Sequence, residues 1–343
     1  MTSTRQHTPT NSGGIMPSET TMRAIVQDKY GETTDVLRLE EISWPDIGDD
    51  DVLVRVHAAS IHIGDWHVMT GLPYLLRIVG FGFRAPKIRV RGIDVAGTVE
   101  AVGKNVTRFQ AGDEVFGTCD GSFAEYASMP QENLAPKPAN LTFEQAAAVP
   151  TSGFAALQAL RDAGGIRAGQ QVLLVGASGG VGQFAVQIAK SFGAEVTGVC
   201  STAKVDMVRS LGADHVIDYT QEDLTQSERR YDLILEMGGN HSLAELRRVL
   251  SPGGTLVPVG SEGGSRWVGG RSWIRAMLLS RFVHSLRPLS TKPNQADLEV
   301  LGDLVKAGKI IPIIDKTYPL SDVGDAMTYL KDGRAQGKII IAI

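Results

Sequence analysis

The chain has 343 residues, with 34 Lys+Arg against 38 Asp+Glu, 39 glycines and only 2 cysteines. That length suits about two domains, and a net charge of −4 argues against a protein that grips nucleic-acid backbone. Two cysteines build neither a disulfide framework nor a four-cysteine zinc site, and no apolar run approaches the ~18 residues of a membrane span.

Residues 1–21 are rich in Ser, Thr, Pro and Gly and carry a single arginine. They lack the apolar core of a secretory signal and the basic amphipathic pattern of a transit peptide. They are expected to be a disordered tail on a cytoplasmic protein, with Met16 and Met22 as alternative starts. From Met22 the pattern becomes globular. Val52, Val54 and Val56 alternate with Leu53, Arg55 and His57, which predicts a half-buried strand. Further strands are expected at Ile93–Val102 and Gly112–Phe116, so the portion up to about residue 135 reads as mostly β.

From about residue 143 helical and strand patterns alternate. Strands are expected at Val172–Val175, Val196–Val199, His215–Ile217, Tyr231–Leu235 and Thr255–Val259. Apolar residues at 181, 184, 185, 188, 189 and 192 mark a helix, and Asp206–Leu211 ends another. Alternating β and α predicts an α/β fold with a doubly wound parallel sheet. Helices at Asp297–Ala307 and Val323–Lys331 and a closing strand, Lys338–Ile343, complete the chain.

Average glycine usage of about 7% would give roughly 24 in this length. Of the 39 glycines, 19 lie between residues 164 and 270. Gly176, Gly179, Gly180 and Gly182 follow a strand and open an amphipathic helix. That context fits a dinucleotide pyrophosphate held on backbone N–H groups at a helix N-terminus. The acid that would bind a ribose 2′-hydroxyl at the end of the second strand is missing. Cys200 stands there, followed by Ser201, Thr202 and Lys204. Hydroxyls and a cation suit a 2′-phosphate, so NADPH is expected rather than NADH.

Six segments resemble the medium-chain dehydrogenase/reductase superfamily, in its zinc-independent quinone oxidoreductase branch. They are residues 91–97, 112–117, 146–150, 176–182, 211–219 and 252–255. The resemblance implies a GroES-like catalytic domain from residues 22–142 and 288–343, with a Rossmann domain, 143–287, inserted between them. It implies that Thr151, Gly176, Ser178, Gly179, Gly180, Val181, Ser201, Lys204, Tyr219 and Gly260 border the cofactor. A homodimer and a small quinone or carbonyl substrate are implied as well.

Zinc enzymes of this superfamily take a histidine from a G-H-E motif. Here the matching residues are Gly92, Ile93 and Asp94, and Ile93 offers no ligand atom. His62 stands where such enzymes have a cysteine and zinc-free relatives usually have Asn; with Ile93 in the histidine's place and no three converging donors in the sequence, no metal is expected. Hydride transfer to a conjugated acceptor needs alignment and hydrogen bonds to the carbonyl oxygen more than acid–base machinery. His62, Asp65 and Tyr74 are the candidates for that work. Asp65 is also a helix cap by type. Three other activities stay open: an enoyl-thioester reductase using Tyr74, a non-enzymatic NADPH-binding partner protein, and an alcohol dehydrogenase. Residues 265–288 set Trp267, Trp273, Ile274, Met277 and Leu278 among arginines, a stripe suited to an interface, a bulky pocket or a membrane surface.

Overall fold

Short β-branched segments leave unpaired edges that must find partners, and among the described residues they do so in two large sheets and a two-stranded ribbon. The computed structural model describes residues 21–32, 34–74, 77–78, 82–238, 241–260, 278–280, 283 and 285–343. The tail expected over 1–21 lies outside the described residues up to position 20. So do Trp267, Trp273, Ile274 and Met277, whereas Leu278 is described and 65% exposed.

The first part holds β1 (Thr21–Val26), β2 (Arg38–Ser43), β3 (Asp51–Ile61), β4 (Asp94–Val102), β5 (Glu114–Thr118), β6 (Tyr126–Pro130) and β7 (Leu134–Pro136). A helix, Ile63–Thr70, follows β3 directly. Then come β8 (Gln171–Val175), β9 (Glu195–Cys200), β10 (His215–Asp218), β11 (Tyr231–Glu236) and β12 (Leu250–Pro258). Helices Gly182–Ser191, Val205–Ser210 and Leu243–Arg248 alternate with them. The chain closes with helix Gln295–Lys306, β13 (Ile314–Pro319), helix Val323–Lys331 and β14 (Lys338–Ala342).

Strands β10-β9-β8-β11-β12 form one parallel sheet in that order. Chain direction across the sheet reverses between β8 and β11, which puts the ligand crevice at their carboxyl ends. A sixth position is occupied without a full strand. Leu256 N donates to Ser285 O at 2.7 Å and Arg287 N to Leu256 O at 3.0 Å.

The other main sheet runs β13-β14-β3-β4-β5-β7, with β6 also paired to β3. The last strand, β14, thus returns to pair with β3 of the first part, with Ile339 opposite Ile61 and Ile341 opposite Ala59. The mostly β character expected for the first part holds, with the helix Ile63–Thr70 as its main interruption.

Helix Pro150–Gln158 joins the two parts. It is buried at nearly every position and packs on helix Gly182–Ser191 on one side and helix Gln295–Lys306 on the other. Gln158 Nε2 donates to Asp297 Oδ2 at 2.7 Å inside that contact.

Candidate functional site

The turn after β8 is shaped by two glycines with different reasons to be there. Gly176 has φ 90°, a left-handed conformation that leaves the strand sharply. A Cβ on Gly182 would stand 2.2 Å from Gly176 O, so the first turn of the helix lies directly on the strand end. Gly179 and Gly180 are less confined and would take a Cβ at ordinary contact distance. A Cβ on Gly179 would meet nothing nearer than Gly176 O at 3.4 Å, and one on Gly180 nothing nearer than Ser152 Oγ at 3.5 Å. No side chain caps the helix Gly182–Ser191. Gln183 N already donates to Gly179 O at 3.1 Å and Phe184 N to Val181 O at 3.1 Å, so an anion would be met by N–H groups of the turn just before them. Ser178 is buried in the turn and Val181 half-buried at the helix start.

Beneath this turn lies a buried polar cluster that joins strands β3, β4 and β14 to helix Pro150–Gln158. Asp94, at the start of β4, is wholly buried, and Lys338, at the start of β14, is 2% exposed. Lys338 Nζ lies 3.5 Å from Asp94 Oδ2 and donates to Ser152 Oγ at 3.2 Å. Asp94 Oδ2 accepts from Ser60 Oγ at 2.8 Å, and its Oδ1 accepts from Thr151 N at 3.0 Å and Thr151 Oγ1 at 2.5 Å. The Lys338 Cδ would be 3.6 Å from a Cβ on Gly180. Thr151, expected near a cofactor, thus reaches the site through Asp94. Asp94, Lys338, Ser60 and Ser152 were not among the residues singled out from sequence. Asp94 had been weighed only as part of a zinc motif, and Lys338 is masked by the apolar run it opens.

The candidates of the first part sit at the N-terminus of helix Ile63–Thr70. This helix begins three residues before Trp66, where a cap by Asp65 would have started it. His62 is its N-cap. His62 Nδ1 accepts from Gly64 N at 3.0 Å, while Asp65 Oδ2 accepts from His62 N at 2.9 Å. The two side chains form a capping box. A ring with Nδ1 as acceptor carries its proton on Nε2 when neutral. That nitrogen is sealed from solvent, has no hydrogen-bond partner among the described residues, and lies 3.6 Å from Asp65 Oδ2. Burial pushes the Asp65 carboxyl above the usual carboxylate range, with His62 acting in the opposite sense. Tyr74 lies beside Arg77, whose guanidinium is 4.7 Å from its ring and 4.3 Å from that of Tyr30.

At the end of β9, Cys200 is buried and its thiol is pushed up to about 11 by burial. Ser201 occupies the next N-cap position, yet its side chain makes no cap bond. Thr202 differs from expectation. Its hydroxyl is committed to Asp218 Oδ2 at 2.6 Å and lies 2.8 Å from Thr220 Oγ1. The Thr202 hydrogen bond first, and those of Thr220 to the other carboxylate oxygen, hold the Asp218 carboxyl below its ordinary range. Lys204 Nζ donates to Ala335 O at 2.7 Å and Gly333 O at 3.3 Å, carbonyls of the segment that leads into β14. Tyr219 is 53% exposed, with its N–H on Cys200 O at 3.1 Å. Gly260, two residues past β12, is exposed and would present a Cβ to open space.

Among the described residues, the three histidines spaced every five positions each engage a different partner. His57 Nε2 is 3.0 Å from Thr98 Oγ1, His62 caps its helix, and His67 Nδ1 is 2.9 Å from Leu72 O. Burial raises the Cys119 thiol far above its ordinary value, the wrong direction for a thiolate ligand. Among the described residues no group of three or more His, Cys, Asp or Glu side chains could hold a metal. A dinucleotide does fit: the glycine turn is open, its helix is uncapped, and a buried ammonium lies close beneath it.

Residues 48–139 match the family model of an alcohol dehydrogenase GroES-like domain, and residues 211–341 that of a zinc-binding dehydrogenase. The chain is 31% identical to a chloroplast envelope quinone oxidoreductase homolog of Arabidopsis thaliana, covering 93% of this chain and 98% of that protein. It is 34% identical to an NADPH-dependent alkenal/one oxidoreductase of the same plant, covering 93% and 79% respectively. Among solved structures, the quinone oxidoreductase of Coxiella burnetii superposes with a TM-score of 0.82 at 28% identity, over 94% of this chain and all of that one.

Proposed function

The chain belongs to the medium-chain dehydrogenase/reductase superfamily, in its quinone oxidoreductase-like branch, and on that premise we propose that it reduces a quinone or an α,β-unsaturated carbonyl with NADPH. The observation that carries this reading is the open glycine turn set above the buried Lys338. Reduced nicotinamide, when bound, supplies a hydride.

The chain's own residues bind, orient and exclude water. The turn from Gly176 to Gly182 and its uncapped helix offer N–H donors to a pyrophosphate. Lys338 adds a positive charge from the other sheet, held in place by Asp94 and Ser152. Ser201, Lys204 and Tyr219 are the groups for a 2′-phosphate, since no acid ends β9 and the Ser201 hydroxyl is not spent on a cap. Lys204 would exchange two neutral carbonyl partners for an anion, the stronger kind of hydrogen bond. His62 and Asp65 fix the start of helix Ile63–Thr70 and hence the polarity of that wall, and the proton that completes reduction comes from solvent. Tyr74, held beside Arg77, shapes the wall next to them.

Stopped-flow absorbance of NADPH with a panel of quinones and enones tests the activity. Oxidation is expected with at least one acceptor, and a flat trace with every member of the panel would sink the reading. Cofactor choice is tested separately. Lys204→Glu should weaken NADPH by about tenfold or more, the worth of one charge-assisted hydrogen bond, and leave NADH unchanged. Equal loss with both cofactors would place Lys204 outside the phosphate site.

A further inference from the structure

Between Asp65 and Asp94 the chain has no acidic residue, yet it carries Arg77, Arg84, Lys87, Arg89 and Arg91. This occurs in a protein of net charge −4. The same stretch holds the two most exposed large apolar side chains of the described residues, Phe83 at 73% and Ile78 at 70%. Ile88 adds a third at 39%.

The segment is pinned at both ends and in the middle. Arg77 donates to Gly71 O at 2.8 Å and Thr70 O at 3.0 Å, which fixes it to the end of helix Ile63–Thr70. Tyr30 Oη donates to Gly82 O at 2.8 Å. Beyond the loop, Gln27 N donates to Arg89 O at 2.9 Å and Arg91 N to Ile25 O at 3.0 Å. Between the last two anchors Phe83, Arg84, Lys87 and Ile88 are exposed. The cations divide by role. Arg89 is neutralised by Asp28 and Glu40, each at 2.7 Å. Arg84 and Lys87 make no ion pair among the described residues.

We propose that residues 82–88, with Ile78, dock this protein on an anionic lipid bilayer. Apolar tips without hydrogen-bonding groups, set beside unneutralised cations, match the headgroup zone of a membrane. There, apolar side chains enter the acyl boundary and ammonium and guanidinium groups meet phosphates and carboxylates. A nucleic-acid site would set aromatic rings for base stacking along a basic groove, whereas two of the three exposed apolar side chains here are aliphatic. No helix among the described residues is long and apolar enough to cross a membrane, so attachment is at the surface. The segment continues from the helix that carries His62 and Asp65, so docking would bring the acceptor wall toward lipid, where apolar acceptors dissolve.

The test is sedimentation of the full-length protein with vesicles, read without turnover and hence independent of the cofactor reading. Wild type should sediment with vesicles containing about 30 mol % phosphatidylserine, stay in solution with phosphatidylcholine alone, and be released at ~0.5 M salt. Phe83→Ser and the pair Arg84→Glu/Lys87→Glu should each lower partitioning by about tenfold. Ile311→Ser, an exposed apolar residue elsewhere, should change nothing. The rate with a water-soluble quinone should be unaltered in all of them. Equal recovery of wild type with and without anionic vesicles overturns the proposal. So does wild-type binding by both surface variants. A fall in oligomeric mass for Phe83→Ser, seen by light scattering, overturns it too, because the surface would then be a contact between copies.

Discussion

Gly182→Ala is expected to lose cofactor affinity by about 100-fold or more and to melt roughly 4 °C below the wild type. The added methyl would stand 2.2 Å from Gly176 O and 2.6 Å from Ala177 C, both backbone atoms with no rotamer to yield. The helix must therefore move away from β8, and overpacking of that kind costs about 3 kcal/mol. Moving the helix also withdraws its N–H groups from the place where a pyrophosphate would sit. Gly179→Ala separates the two effects. Its methyl would meet only Gly176 O, at 3.4 Å, so the fold should stand, but the side chain would project toward the cofactor's place. Stability near wild type with weakened NADPH binding is expected there, by calorimetry and fluorescence titration. Gly260→Ala, with nothing within 4 Å, should leave the melting temperature alone. Undiminished cofactor binding by Gly182→Ala would remove the glycine turn from the nucleotide site.

The parallel sheet was legible because each strand is a short apolar run and each helix a stripe of period 3.6. Helix Val323–Lys331 and the strand beginning at Lys338 fall where those patterns put them. Boundaries moved where pairing, not periodicity, decides them. β12 begins at Leu250, before the apolar run from Thr255, because Leu250 pairs with Tyr231 across an irregular register. β2, with burial alternating at a half-exposed level, has almost no apolar signal and is held by its ladder to β1. In the site, the glycine turn was readable because its constraint is local. The Asp94–Lys338 pair was not, because its members lie 244 positions apart in sequence and meet only when β14 closes on β3. A lysine heading an apolar strand reads as its polar end. Burial to 2% is a property of the assembled fold alone.

That pair carries the second large effect. Lys338→Met should destabilise the protein by about 3 kcal/mol, because removing one partner strands the other charge in the interior. Asp94 is wholly buried and would keep three donors, from Ser60 and from the N–H and hydroxyl of Thr151. Those donors soften the loss without replacing a full positive charge, which places the effect at the lower end of the range for a broken buried pair. The double variant Asp94→Asn/Lys338→Met removes both charges and should recover a good part of the stability, since neutral amide and thioether side chains carry no ionic desolvation penalty. Urea unfolding of the two single variants and the double gives the coupling directly. A second readout divides fold from function. Lys338 lies under Gly180, so the double variant, though stable, should still bind NADPH more weakly than wild type. Stability of Lys338→Met within error of wild type would show that the ammonium is not paired as described. Full NADPH affinity in the double variant would show that the lysine braces its own sheet against helix Pro150–Gln158 without serving the cofactor.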